Sequence, residues 1–306
     1  MSIVFLCPGQ GSQKSNMLNE LPDQKIINNT IEEASDVLQL NVRNLDKESA
    51  LSSTYAVQLV LFIWSIAMGE LLKESGAKPH FTAGHSVGAF TSSVLSNALP
   101  FSKALTLVAK RGELMESEFS SGFGMGAVNG MTERHVQSII SSLSLQESVF
   151  ISNINSNTQI TISGTIQNVQ KALKALSKAG ASSAKMLNVK VPSHSPFMER
   201  IAEQMRLELE KASVQRASIP YAANVSARAV TDPEKIRKDL SESIKKPVRW
   251  HDAMCMYYER GARLFIELSP RSVLSNIINQ TFTDARGLSI QTQGADNCLE
   301  LIKRYN

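Results

Sequence analysis

The clearest capacity for chemistry lies in Gly84-His85-Ser86-Val87-Gly88. A serine flanked in this way by two glycines can sit at the tip of a tight strand-to-helix turn, a nucleophile elbow. An apolar run, Phe81 to Ala83, precedes it and a helix-compatible segment follows. The glycines have a steric task, because such a turn brings backbone so close that a Cβ would collide. The serine then sits at a helix N-terminus, where main-chain N–H groups favour developing negative charge. A structural glycine turn with a capping serine is the bland alternative.

A serine hydroxyl attacks poorly without a base. His85 adjoins Ser86, and its side chain is expected to diverge from it on the turn. His80 precedes the strand, and His135 and His251 fall on expected helices. His194 lies in Val191-Pro192-Ser193-His194-Ser195-Pro196, a loop flanked by two prolines. Rigid loops of this kind line clefts, which makes His194 the candidate base. No Asp or Glu stands out as its orienting partner, so a dyad and a triad both remain open. Arg111 discriminates most. It falls on the apolar helix face of Ala104, Leu107, Val108, Leu114 and Met115, opposite Lys103, Lys110 and Glu113. A guanidinium on such a face needs an anion. Either it pairs with a protein carboxylate, or it clamps a substrate carboxylate in bidentate fashion.

The elements that must hold these residues follow an alternating α/β pattern. The 306 residues suggest about two units at roughly 150 residues each. An apolar strand, Ile3 to Cys7, feeds the glycine-rich turn Pro8-Gly9-Gln10-Gly11-Ser12-Gln13. Helices are expected over 54–73, from near Ser86, and over 102–116. From 124 to 189 the order reads strand, helix, strand, strand, helix, strand. The strands are near 125–129, 148–153, 158–163 and 184–189, and the helices near 132–143 and 166–178. This βαββαβ order is that of a ferredoxin-like unit. It starts and ends inside the larger pattern and reads as an insertion. Residues 1–123 and 191–306 then form the large domain, and 124–190 the insert. Beyond it come helices near 195–212, 232–243, 249–260, 271–281 and 296–304, with strands at 221–224 and 264–268.

Hydrophobic residues make up 42% and charged residues 20%, the composition of a globular chain rather than a disordered or fibrous one. The longest apolar stretch, Leu59 to Leu72, is interrupted by Ser65, Gly69 and Glu70 and reads as too short to span a bilayer. The opening MSIVFLCPGQ has no basic n-region and no cleavage site, so no secretory signal is expected. Three scattered cysteines, Cys7, Cys255 and Cys298, suggest neither disulfides nor a thiolate metal site, and a reducing cytoplasm is expected. The net charge is +4. Residues 124–190 carry Arg134, Lys171, Lys174, Lys178, Lys185 and Lys190 against Glu133 and Glu147, so the whole excess sits there. That excess is either a solvated surface or an attraction for an anionic partner. No basic run interleaved with aromatics points to nucleic acid.

Taken together, these motifs resemble the malonyl-CoA:acyl carrier protein transacylase family over nearly the whole chain. The resemblance is carried by the Pro8–Gln13 turn, Gly84–Gly88, Lys110-Arg111-Gly112, Asn153-Ile154-Asn155-Ser156, Pro192–Ser195 and Pro247-Val248-Arg249-Trp250. It implies an α/β-hydrolase-like large domain with a ferredoxin-like insert. It also implies an acylated Ser86, His194 as base, Arg111 on the malonyl carboxylate, and an oxyanion hole from the N–H groups of Gln10 and Val87. Asn155 falls within a matching motif and is carried over as substrate-binding. Malonyl-CoA is then a substrate, an acyl carrier protein with a phosphopantetheine-type thiol is the partner, and the chemistry requires no metal or bound cofactor. Within the family the chain looks most like the epsilon subunit of malonate decarboxylase, which implies the other decarboxylase subunits as partners. The cues are Ala89-Phe90, Gly122-Phe123-Gly124-Met125 and compact length. Two positions depart from the family pattern: Ser243 stands where glutamine is usual, and Ser269-Pro270-Arg271 where Gly-Pro-Gly is usual. The alternatives are malonyl loading for fatty-acid or polyketide synthesis, a serine hydrolase of acyl thioesters, and a non-catalytic carrier-docking protein.

Overall fold

A computed structural model describes residues 1–305. The chain forms a mixed α/β fold around two sheets. The strands are β1 (Ser2–Cys7), β2 (Phe81–Gly84), β3 (Phe123–Asn129), β4 (Val149–Ser156), β5 (Gln159–Thr165), β6 (Ser183–Met186), β7 (Tyr221–Ala222), β8 (Ala229–Val230), β9 (Ala262–Glu267) and β10 (Arg286–Ser289). The first sheet has the order β10-β9-β1-β2-β7-β8 and is parallel except for the β7–β8 pair. The second has the order β4-β5-β3-β6 and is antiparallel throughout.

The central strand β1 shows why its sequence is a continuous apolar run. Its side chains alternate, and both faces of a parallel sheet are covered. Ile3, Phe5 and Cys7 pack into one core, and Val4 and Leu6 into the core on the other face. The four-stranded sheet has a third core of its own, built around Val128, Val136, Ile151, Ile162 and Leu173.

The helices are α1 (Lys25–Leu38), α2 (Thr54–Glu74), α3 (Gly88–Leu95), α4 (Phe101–Glu118), α5 (Glu133–Ser142), α6 (Ile166–Lys178), α7 (Glu199–Glu210), α8 (Pro233–Glu242), α9 (Trp250–Glu259) and α10 (Val273–Thr281), with two short C-terminal helices, Ile290–Gln293 and Ala295–Tyr305. The apolar stretch from Leu59 proves to be part of a 21-residue helix, α2, whose length and composition would suffice to cross a membrane. Here 83% of its most apolar window is buried inside the protein, where it packs against α4. Sequence periodicity passed over α1, β8 and β10, and extended the last strand of the second sheet too far. That strand stops at Met186; Leu187 bonds Met125 once more before the chain leaves the sheet, and Leu187 and Val189 turn to line a cleft. The helix after the glycine turn begins at Gly88 rather than Ser86, because Ser86 is left-handed (φ 56°).

Among the described residues the main chain ties the two sheets at three places. The chain crosses between them before β3 and after β6. Across the small sheet, β4 bonds the segment before α9: Val248 N–H donates to Ser152 O, and Ile154 N–H to Val248 O, each at 2.9 Å.

Candidate active site

The cleft between the sheets holds a cavity of about 160 Å3. One wall carries Gly9, Gln10, His85, Ser86 and His194; Met125, Asn155 and Thr161 of the small sheet, and Leu187 just beyond its last strand, complete the lining. Ser86 stands at the junction of β2 and α3. A Cβ on Gly84 would lie 2.0 Å from the Gly88 carbonyl oxygen, and one on Gly88 would lie 2.3 Å from that of Cys7. No real Cβ tolerates either distance, so both glycines are required by contact.

Two backbone outliers face each other here, Ser86 at φ 56° and His194 at φ 61°. Non-glycine residues in this region are strained, and such strain is retained where geometry matters. His194 is anchored by its own N–H to Ile244 O at 2.9 Å. Its Nε2 lies 2.8 Å from Ser86 Oγ, while Nδ1 bonds the main-chain carbonyl of Ser243. A carbonyl only accepts, so Nδ1 carries the proton and Nε2 turns its lone pair to the serine. A carbonyl, not a carboxylate, orients the imidazole. The side chain at position 243 does not form this bond, so the departure from glutamine to serine there leaves it intact. Burial, and after it the Arg111 charge, push the imidazole down to about 3, so it is neutral at ordinary pH.

Arg111 is 2% exposed. Its Nη1 donates to Gln58 Oε1 and its Nη2 to Ser86 Oγ at 3.2 Å. Among the described residues no carboxylate lies within 4 Å of it, which removes the protein ion pair as an explanation for a charge on an apolar face. Burial lowers the guanidinium to about 9, which leaves it charged at neutral pH. It does not line the cavity itself but lies behind Ser86.

Gln10 and Val87 flank the serine, and among the described residues neither main-chain N–H finds a protein acceptor. Asn155 lines the cleft with its Oδ1 3.0 Å from His85 Nε2, so it holds His85, which turns away from Ser86 as expected. Arg271 of the Ser269-Pro270-Arg271 turn donates through Nε to Gln13 O at 3.1 Å and so braces the loop that carries Gln10. Two side chains went unnoticed in the sequence. Gln58 orients Arg111, and its signal was an amide inside the apolar run of α2. Asn224 bonds the elbow on both sides, and no local pattern announces it.

The arrangement can transfer an acyl group: an oxygen nucleophile and a neutral base line one cleft, a buried cation lies behind the nucleophile, and two N–H donors without a protein acceptor among the described residues flank it. The chain belongs to the acyl transferase domain family, which matches residues 4–296. The malonyl CoA-acyl carrier protein transacylase of Bacillus subtilis strain 168 is 35% identical over 284 residues, 91% of this chain and 90% of that protein. That of Haemophilus influenzae is 31% identical, covering 98% of this chain and 97% of its own. Among solved structures, the malonyl CoA-acyl carrier protein transacylase of Coxiella burnetii superposes with a TM-score of 0.94 at 32% identity, over 99% of this chain and 98% of that one. A type II PKS acyl-carrier protein in complex with its malonyl-transacylase gives a TM-score of 0.92 at 28% identity, over 99% and 100% of the two chains.

Proposed function

We propose that this chain moves a malonyl group from malonyl-CoA to the thiol of an acyl carrier protein through a malonyl ester on Ser86. The observation that carries the proposal is the buried Arg111, which has Gln58 and Ser86 as partners and no carboxylate among the described residues. A malonyl carboxylate supplies the missing anion, and a neutral acyl group does not.

Each half-reaction uses the same groups. His194 Nε2 takes the Ser86 proton as Oγ attacks the thioester carbonyl. The oxygen that becomes negative is met by the N–H groups of Gln10 and Val87, each such donor being worth about 3–4 kcal/mol. Collapse expels the CoA sulfur, which receives the proton from His194. A carrier thiol, deprotonated by His194, then attacks the Ser86 ester; collapse expels Ser86 Oγ, which takes the proton back from His194, and the carrier leaves with the malonyl group. As the carboxylate docks, Arg111 exchanges its bond to Ser86 for one to the substrate. Neutralising its charge also removes one cause of the weak basicity of His194.

Residues 1–123 and 191–306 are read as an α/β-hydrolase-like domain, and 124–190 as a ferredoxin-like insert. The antiparallel order β4-β5-β3-β6 and its separate core support the latter. All six basic residues of the insert are exposed, which suits phosphate-bearing CoA and an anionic carrier. Asn155 is assigned to the substrate cleft through its hold on His85. The carrier is read as the carrier subunit of a malonate decarboxylase, from Ala89-Phe90 and Gly122–Met125, and the chain as cytoplasmic from its three free cysteines. Loading for polyketide or fatty-acid synthesis is the second reading, favoured by the structure of a transacylase with its type II PKS carrier.

The test is the intact mass of the protein after incubation with malonyl-CoA or acetyl-CoA. The wild type gains a malonyl adduct on Ser86, and Ser86→Ala gains none while keeping its melting temperature. An adduct that persists in Ser86→Ala and maps elsewhere overturns the proposal; presenting candidate carriers to the acylated enzyme then separates the two readings.

A further inference from the structure

We infer that Asn224 is a positioning residue for Ser86, its side-chain amide standing in for a main-chain peptide at the end of the sheet. The inference rests on Ser86 being the acylated residue and concerns how the fold holds it in place.

The argument starts from register. β2 pairs with β7 in parallel, Thr82 opposite Tyr221 and Ala83 opposite Ala222. Two residues further along both strands, His85 stands opposite Asn224. In a parallel ladder, the peptide groups flanking a residue bond the N–H and C=O of the residue opposite. Here the flanking groups are the Gly84 carbonyl and the Ser86 N–H. The main chain of Asn224 does not serve them. Its N–H donates to Asp239 Oδ2 at 2.9 Å, and its carbonyl accepts from Arg249 N–H at 2.8 Å. The side chain does so instead: Nδ2 donates to Gly84 O at 2.8 Å, and Oδ1 accepts from Ser86 N–H at 3.1 Å. One planar amide therefore bridges the two ends of the turn in which Ser86 adopts φ 56°.

Asn224 is itself held from behind. Asp239, 5% exposed on α8, accepts from the N–H groups of Asn224 and Val225 and from the Tyr221 hydroxyl at 2.6 Å. Asn224 is 4% exposed and does not line the cavity, so it has no reach to substrate. Its effect passes through the backbone of Ser86. By occupying the Ser86 N–H it leaves Val87 N–H, with that of Gln10, as the neighbouring donors without a protein acceptor among the described residues.

The test compares wild type, Asn224→Ala and Asn224→Asp in single-turnover acylation by malonyl-CoA and in labelling by a fluorophosphonate, a serine electrophile with no malonyl group. Melting temperature is measured on each. For Asn224→Ala we expect acylation and labelling to fall together by about 100-fold, the scale of a small misplacement of a reacting group. KM for malonyl-CoA should stay near the wild-type value, because Arg111 and the cleft walls are intact. Asn224→Asp keeps size and the acceptor but sets a carboxylate oxygen against Gly84 O. Its rate relative to wild type should recover as pH falls, since the protonated acid restores a donor and an acceptor. A folded Asn224→Ala that labels and acylates at the wild-type rate overturns the inference. So does an Asn224→Asp deficit that is flat with pH, whether or not Asn224→Ala folds. Normal fluorophosphonate labelling of wild type without malonylation would instead overturn the proposed substrate and leave the Asn224 comparison standing on the probe alone.

Discussion

Replacing Arg111 by alanine separates malonyl recognition from acyl transfer as such. The guanidinium is 2% exposed and has no carboxylate within 4 Å among the described residues, so a docked malonyl carboxylate would meet a cation already stripped of water. Removing one side of such a desolvated pair costs about 2–5 kcal/mol. At about 1.4 kcal/mol per tenfold, kcat/KM for malonyl-CoA should fall by about 30-fold to several thousand-fold. Acetyl-CoA has no carboxylate and should be used as well as before or better. Gln58 loses its Arg111 partner, at about 1–3 kcal/mol for a buried acceptor left open, while the cost of burying an unpaired cation disappears. The melting temperature should therefore move little. The assay is kcat/KM for both thioesters with a melting curve on the same variant. An equal loss for both substrates with a lowered melting temperature would refute the clamp, and with it the main reason to call the substrate malonyl.

Removal of the base, His194→Ala, should slow acylation by about 10²–10⁴-fold, the usual worth of general base catalysis, and near-normal rates at neutral pH would mean another group takes the proton. Because the folded imidazole is depressed to about 3, its neutral form persists well below pH 6.5. Wild-type kcat/KM should thus stay level as pH falls through 6.5, whereas an acid limb at 6.5 or above would count against the burial argument; in Arg111→Ala the limb should move up. By linkage, the unfolded chain binds a proton at this position below about 6.5 and the folded chain does not until about 3, so this group takes stability away as pH falls through that window. Urea unfolding of His194→Gln across the window should show a shallower loss. Gly84→Ala must displace backbone, since its Cβ would lie 2.0 Å from Gly88 O; a cost of about 1–3 kcal/mol or more is expected, and an unchanged melting temperature would mean the elbow is looser than described.

The parts legible in the sequence were those governed by local rules. The turn around Ser86 announced itself because only glycine fits at 84 and 88, and Arg111 because a charge broke a helix period. The alternation within 124–190 gave the small sheet's element order, with ends shifted by a few residues. What escaped is non-local. α1 has no side-chain cap at Gln24, and Pro22-Asp23 before it reads equally well as a loop; β10 is four residues long with one glycine. The Ser243 carbonyl reaches His194 across 49 residues, and Asn224 reaches Ser86 across 138. A main-chain carbonyl leaves no mark on residue type at all, which is why the sequence left a dyad and a triad both open for His194.

The third tie between the sheets bears on how the cleft can admit its guests. The two chain crossings lie at β3 and β6, neighbours on one side of the small sheet; β4, bonded to Val248, is the strand at the far edge. Two crossings alone would make a hinge, and a bond at the opposite edge latches it. The small sheet is thus joined to the large one along both of its edges rather than along one. A chamber of about 160 Å3 braced on both edges limits the bulk of the group that Ser86 can carry, a selection by size that is separate from the selection by charge at Arg111.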